Sequence, residues 1–186
     1  ILVSRDTNVR VKADILDVAA EDFRNEKVAK IEDQYTGRAN VYATSDAIDR
    51  FFGNDANTLS VEELRIFDDA THSLIEPSLT TNQFLVIHSV DNPQHTALGR
   101  FDGEKVVRLK FRDRTPFGVL PRNVGQIFMQ ECLMLGADEA PLVIIKGPAG
   151  TAKTFYSLAV GLHRFMDCRP RDYHHLLICR PNVPMD

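Results

Sequence analysis

The chain has 186 residues, 44% of them hydrophobic and 26% charged, with a net charge of −4. This is a globular composition and excludes a disordered polar chain. No apolar run approaches the ~20 residues of a membrane span, and no leader pattern opens the chain. Three scattered cysteines, Cys132, Cys168 and Cys179, read as reduced thiols, so a cytoplasmic protein without a membrane partner is expected. The six histidines include no HExxH pattern, and the pair His174 and His175 lacks the further ligands a metal site needs. Ile1, Leu2 and Val3 open the chain inside a predicted strand, without a methionine. Pro184, Met185 and Asp186 close it just after another, so both ends are expected to be cuts from a longer protein.

Residues 1–34 read as strand, helix, strand. Ile1, Leu2 and Val3 form the first strand, 9–15 has mixed helical spacing, and 18–23 reads as a return strand. Asp6 has two readings. Its carboxylate suits a helix N-cap, accepting from N–H groups two or three residues on. It also stands at the carboxyl end of a strand, where a metal-ligating carboxylate would be.

Residues 35–115 read as a connecting region with a small antiparallel sheet. A helix is predicted over 45–52, capped by Thr44 or Ser45 and closed by Gly53. Ser60 and Glu63 form a capping box that opens a second short helix. Strands follow at 84–88, 96–101 and 105–111, with Asp102 and Gly103 as a hairpin turn. Alternation on the last strand puts Val107, Leu109 and Phe111 on one face and Arg108, Lys110 and Arg112 on the other. Between 99 and 122 stand seven basic residues (Arg100, Lys105, Arg108, Lys110, Arg112, Arg114, Arg122) and three acidic ones (Asp102, Glu104, Asp113). That local excess suits a nucleic-acid contact; a solvated outer face of a half-buried sheet is the plainer reading.

Residues 116–186 carry the chemistry. A helix is predicted after 121–126, with Val124, Ile127, Phe128, Cys132 and Leu135 as its apolar positions and Gly136 at its end. The unbroken apolar run 142–145 reads as a strand buried on both faces. Directly after it stand Gly147, Pro148, Ala149, Gly150, Thr151, Ala152, Lys153 and Thr154. This is the phosphate-binding pattern GxxxxGK[ST], with Ala152 in place of the second glycine. A helix follows, its apolar stripe formed by Phe155, Leu158, Ala159, Leu162, Phe165 and Met166. After Pro170 a second apolar strand is predicted at 175–180, parallel to the first through a right-handed crossover.

The loop's residue types follow from what it would hold. Successive backbone N–H groups curl around a phosphate, and the helix dipole adds partial positive charge. The Lys153 ammonium can reach the β- and γ-phosphates, and the Thr154 hydroxyl can ligate Mg²⁺ held between them. Gly147 and Gly150 are predicted at φ > 0. Ala152 is predicted at φ < 0 in the first helical turn, because a β-carbon opposes left-handed geometry. The expected fold class is α/β: the start of a parallel-sheet phosphate-loop domain at 116–186 behind the small sheet of 35–115.

These motifs resemble known families. The stretch containing Gly147 to Lys153, with Pro121 to Gln126 before it and Arg180 to Pro184 after it, is similar to the amino-terminal half of a PhoH-type ATPase domain. Residues 1–34 resemble the end of a PIN nuclease domain, so an α/β PIN-like remnant is expected there. The resemblance implies that Lys153 and Thr154 are the phosphate and magnesium residues and that Gln126 reads adenine. It implies that Arg180 and Asn182 belong to a loop near nucleic acid, and that Asp6 is the last acidic ligand of a PIN site. It also implies that the remaining residues of both active sites lie outside this chain.

The function so implied is ATP-binding, with Mg²⁺, within an ATP-hydrolysing, RNA-remodelling protein coupled to a PIN ribonuclease. A homo-oligomeric ring is a further expectation. The alternatives are a kinase-like phosphotransferase and a non-enzymatic nucleotide-binding module.

Overall fold

The computed structural model describes residues 2–3, 7–21, 35–53, 57–69, 71–167 and 173–179. Two compact units result, Ile1–Thr36 and Gly37–Asp186. Asp6, Arg180 and Asn182 lie outside the described residues.

In the first unit, β1 (Leu2–Val3) and β2 (Ala20–Glu21) pair in parallel, Leu2 opposite Ala20, on either side of α1 (Thr7–Ile15). The predicted strand–helix–strand order is present. The helix ends where the Leu16 amide donates back to Ala13 and Asp17 turns left-handed at φ 56°. Ala13 is buried beneath it.

The second unit is built on a five-stranded sheet. Its strands are β3 (Arg38–Ala43), β4 (Thr58–Leu59), β7 (Phe84–Ser89), β8 (Thr96–Phe101) and β9 (Val106–Arg108), in the order β3-β7-β8-β9-β4. A side hairpin, β5 (Ile66–Asp68) and β6 (Ser73–Ile75), pairs separately. The predicted hairpin between β8 and β9 forms. The Asp102 carboxylate accepts from the Glu104 and Lys105 amides, and Gly103 takes φ 113°. The sheet is mixed, however, rather than the antiparallel one expected. β3 and β7 run parallel, in register from Arg38 opposite Phe84 to Ala43 opposite Ser89. A strand at 38–43 had not been predicted, and α2 (Ser45–Phe52) after it carries the chain across, which is what parallel pairing requires.

That helix follows its sequence signals. Thr44 caps it, accepting from the Ala47 amide, and the Ser60–Glu63 capping box closes a single 3₁₀ turn at Val61–Glu63. Ala47, Ile48 and Phe51 are buried against Val41, Leu85, Ile87, Leu59 and Val106. Gly99 makes room for this packing. A β-carbon there would stand 2.6 Å from Val106 Cγ1 and 3.4 Å from Phe51 Cζ.

Strand β9 stops at Arg108, three residues short of the predicted end. The cause lies in α3 (Val124–Met134). Glu131 on that helix accepts from the Lys110 amide at 2.8 Å and the Phe111 amide at 2.7 Å. Both donors are thereby taken from the sheet ladder. As a result Arg108, Lys110 and Arg112 do not share a strand face.

The helix α3 packs beside α4 (Lys153–Met166). The predicted stripe of α4 is rotated: Tyr156, Ala159, Val160 and Arg164 are buried, whereas Phe155 and Met166 are exposed. On α3 the buried set is Phe128, Gln130, Glu131 and Met134. Polar groups turn inward because each finds a partner. The Tyr156 hydroxyl donates to Gln130 Oε1 at 3.0 Å, and Gln130 Nε2 donates to the carbonyls of Phe111 and Arg114. Arg164 donates to the carbonyls of Leu133 and Leu135 at the end of α3. Contacts that advance together along both helices set them parallel. Sheet and helices are joined by Phe84 stacked on Phe128 at 4.7 Å. Beside that pair, Arg100 and Lys110 both hold the Glu139 carboxylate.

The two predicted strands of the phosphate-loop sheet do not form a ladder among the described residues. Leu142 and Ile144 are 77% and 83% exposed, and Leu177 is 92% exposed. Segment 173–179 instead lies along α4, with Leu176 against Gly161. An apolar run makes a strand only when neighbours complete its backbone hydrogen bonds, and here no described neighbour does so.

Tyr156→Phe should destabilise the chain by about 1–3 kcal/mol, because it strips a partner from the buried Gln130; denaturant unfolding measures this. Burial raises the pKa of Glu131 above its usual 4.5, against the lowering effect of the two amides and of Arg100 and Lys110. The folded state therefore binds this proton more tightly than the unfolded state. Its contribution to stability is greatest below pH 4.5 and falls as pH rises through the raised value. The stability difference between the natural chain and Glu131→Gln should shrink across that window. A difference that stays constant with pH would show that Glu131 does not titrate differently on folding.

Candidate nucleotide-binding site

The phosphate loop leads straight into α4. Gly150 is left-handed at φ 78°, as predicted. The other two backbone expectations fail: Gly147 is outside the left-handed region, and Ala152 is inside it, at φ 61° and ψ 22°. Ala152 thus adopts the conformation usually left to the glycine it replaces. The Ala152 carbonyl accepts from the Tyr156 amide at 2.9 Å. The extended N-caps Thr44 and Asn123 do the same for Ile48 and Ile127, so the helix start by itself does not explain the left-handed backbone at Ala152.

Lys153 closes over the loop. Its Nζ donates to the carbonyls of Gly147, at 2.9 Å, and Pro148, and to Thr151 Oγ1 at 3.2 Å. Thr151 Oγ1 in turn donates to the Pro148 carbonyl at 2.9 Å. Three oxygens hold the ammonium over the residues expected to surround a phosphate. Pro148, Ala149 and Thr151 are exposed there, and Thr154 presents its side chain on the exposed first turn of α4. Among the described residues no three His, Cys, Asp or Glu side chains converge as a metal site. Thr154 is therefore suited to share a Mg²⁺ that arrives on phosphate oxygens, not to hold one alone.

Gln126 lies at the start of α3. Its Oε1 accepts from the Arg122 amide at 2.8 Å, and its own amide donates to Asn123 Oδ1 at 3.0 Å. Gln126 stands one helical turn before Gln130, which meets Tyr156 of α4.

The predicted basic stripe is dispersed. Arg108 donates to Asn57 and lies over the Phe52 ring at 5.5 Å. Lys110 is paired with Glu139 at 2.8 Å. That hydrogen bond is the chief cause holding the Glu139 carboxyl below its usual range. Arg112 is exposed in the turn beyond. The sequence reading missed the frame formed by Gln130, Glu131 and Tyr156. Its signal was two adjacent polar residues at the buried spacing of α3, between Ile127 and Met134.

The chain is similar over its whole length to the protein named PhoH2 of Bacillus subtilis, with 34% identity, and spans 39% of that protein. It is 31% identical to PhoH2 of Thermobispora bispora and 27% identical to PhoH2 of Mycolicibacterium smegmatis, covering 36% of each. It thus spans under two fifths of the length of these relatives. No family model and no solved structure matches it. No described helix is long and apolar enough to cross a membrane.

Left-handed geometry costs a β-carbon-bearing residue roughly 1–2 kcal/mol. Ala152→Gly should therefore raise the unfolding free energy by about 1 kcal/mol while retaining phosphate binding. Denaturant unfolding checks the first outcome and pyrophosphate titration the second.

Proposed function

We propose that this chain is part of a PhoH-type protein and supplies its ATP-binding loop. In the intact protein, ATP hydrolysis would drive RNA remodelling coupled to a PIN-type ribonuclease. The observation that carries the reading is the Lys153 ammonium held over the loop at the head of α4. Similarity to part of the PhoH2 proteins, running along 97–100% of this chain, supports it.

The residues divide the work as follows. A polyphosphate entering the loop meets the N–H groups of 150–154 and replaces carbonyl oxygens as the partner of Lys153. A phosphate oxygen carries more negative charge than a carbonyl, so the exchange favours the ligand. Thr154 offers its hydroxyl to the Mg²⁺ that the phosphates bring. The cofactors are accordingly ATP and Mg²⁺. Gln126, at the start of α3, contributes to the base end of the site. RNA is the proposed partner of the whole protein. Arg112 is the member of the basic stripe best disposed toward it, since Lys110 already pairs with Glu139. Asp6 and Arg180 keep their proposed roles in the PIN-like and nucleic-acid sites.

Titration of the chain with ADP and Mg²⁺ tests the central point. Lys153→Ala should weaken binding roughly 10- to 100-fold, the worth of hydrogen bonds to a charged group. Equal affinity in the two proteins would remove the loop from the function. For RNA, Arg112→Ser in the intact protein should lower the slope of log K against log salt by about 0.7. An unchanged slope would return Arg112 to the solvated surface.

A further inference from the structure

Between the basic turn and α3 the chain makes a 3₁₀ turn, Pro116–Gly118. Phe117 in it is left-handed, at φ 49° and ψ 36°, and Gly118 follows at φ 71°. A phenylalanine is costly in this conformation, where glycine or asparagine would be relaxed. The residue is also 49% exposed, so burial offsets little of that cost.

The turn is nevertheless firmly seated. Pro116 is buried on one side, and Val119 packs on the cluster of Tyr156, Val160 and Met134 on the other. The Gly118 and Val119 amides donate to the carbonyls of Thr115 and Pro116. Just upstream, Gln130 holds the Arg114 carbonyl at 2.8 Å. Both flanks are fixed inward, and the ring between them faces outward.

Its position gives the ring a use. The turn packs on α4. Its anchors reach the helix at Tyr156, three residues after Lys153 and so about 4.5 Å along the axis. The chain then runs through Pro121 to Gln126 at the start of α3. An exposed aromatic side chain thus sits on a turn packed on α4, the helix that the phosphate loop opens, and a few residues upstream of the Gln126 amide.

We propose that Phe117 is the stacking seat for the base of the bound nucleotide. This rests on the reading of 147–154 as a phosphate loop and adds the residue that grips the other end of the ligand. Stacking is indifferent to base identity, because every base offers a π face. The seat therefore supplies affinity, and selectivity is left to Gln126. One Gln126 Oε1 lone pair is engaged by the Arg122 amide, and the second lone pair and the Nε2 amide are the groups that would meet a base edge.

The test compares ADP with tripolyphosphate, which has phosphates and no base, on the chain and two variants. Phe117→Asn keeps a residue at ease in left-handed geometry and removes the ring. It should weaken ADP about tenfold and leave tripolyphosphate within twofold. Phe117→Trp should restore ADP binding. Equal losses for both ligands would make Phe117 a structural residue and overturn the seat. Undiminished ADP binding would overturn it too, as would a loss confined to single-stranded RNA, which would make the ring a nucleic-acid platform. Failure of the natural chain to bind either ligand would overturn the phosphate loop itself, and the seat with it.

Discussion

The carboxylate of Glu131 is the constraint on which the second unit depends. It is fully buried and takes two consecutive backbone amides, those of Lys110 and Phe111. A buried acid without such donors would be strongly disfavoured. With them, it becomes the point where the sheet ends and the helical layer begins. It terminates β9, turns the chain outward, and fixes the basic turn against α3. The neighbouring Gln130 extends the same hold to Arg114 and, through the Tyr156 hydroxyl, to α4. Among the described residues the phosphate loop is thus tied to the sheet through side chains, with no strand pairing between them.

Local features were legible in the sequence wherever a single element could satisfy its own needs. The cap at Thr44, the capping box at Ser60 and the turn at Asp102 are all settled within a few residues, and all stand where they were predicted. The helix at Lys153–Met166 was equally plain. What escaped were choices made between elements. The face of α4 that packs is set by Tyr156 finding Gln130 and Arg164 finding two carbonyls of α3. Hydrophobic spacing alone ranks Phe155 above Tyr156 and so points to the wrong side. The strand at Arg38–Ala43 was missed because its inward residues, Ala39, Val41 and Ala43, include two alanines.

The phosphate loop shows both sides of this. Its residue order revealed the motif, and Lys153 stands where the motif puts it. The backbone conformation of Ala152 runs against the steric penalty of a left-handed alanine, which residue type alone could not foresee. A penalty of this size can be met by the surrounding contacts. The apolar runs at 142–145 and 175–180 carry the opposite lesson. Their composition marks them as interior strands, yet their pairing is not decided by their own residues.

The parallel pair α3 and α4 is cross-braced at two levels, by Tyr156 to Gln130 and by Arg164 to Leu133 and Leu135 at the end of α3. A ladder with two rungs resists shear. One helix cannot slide past the other without breaking buried hydrogen bonds at each rung, and a small relative slip finds no new partners. The two helices therefore move as one stiff beam. The loop at the head of α4 and the turn clasped by Gln130 and Glu131 are fixtures on that beam. A displacement at the head of α4 therefore bears on the basic turn through the buried hydrogen bonds of Tyr156 and Gln130.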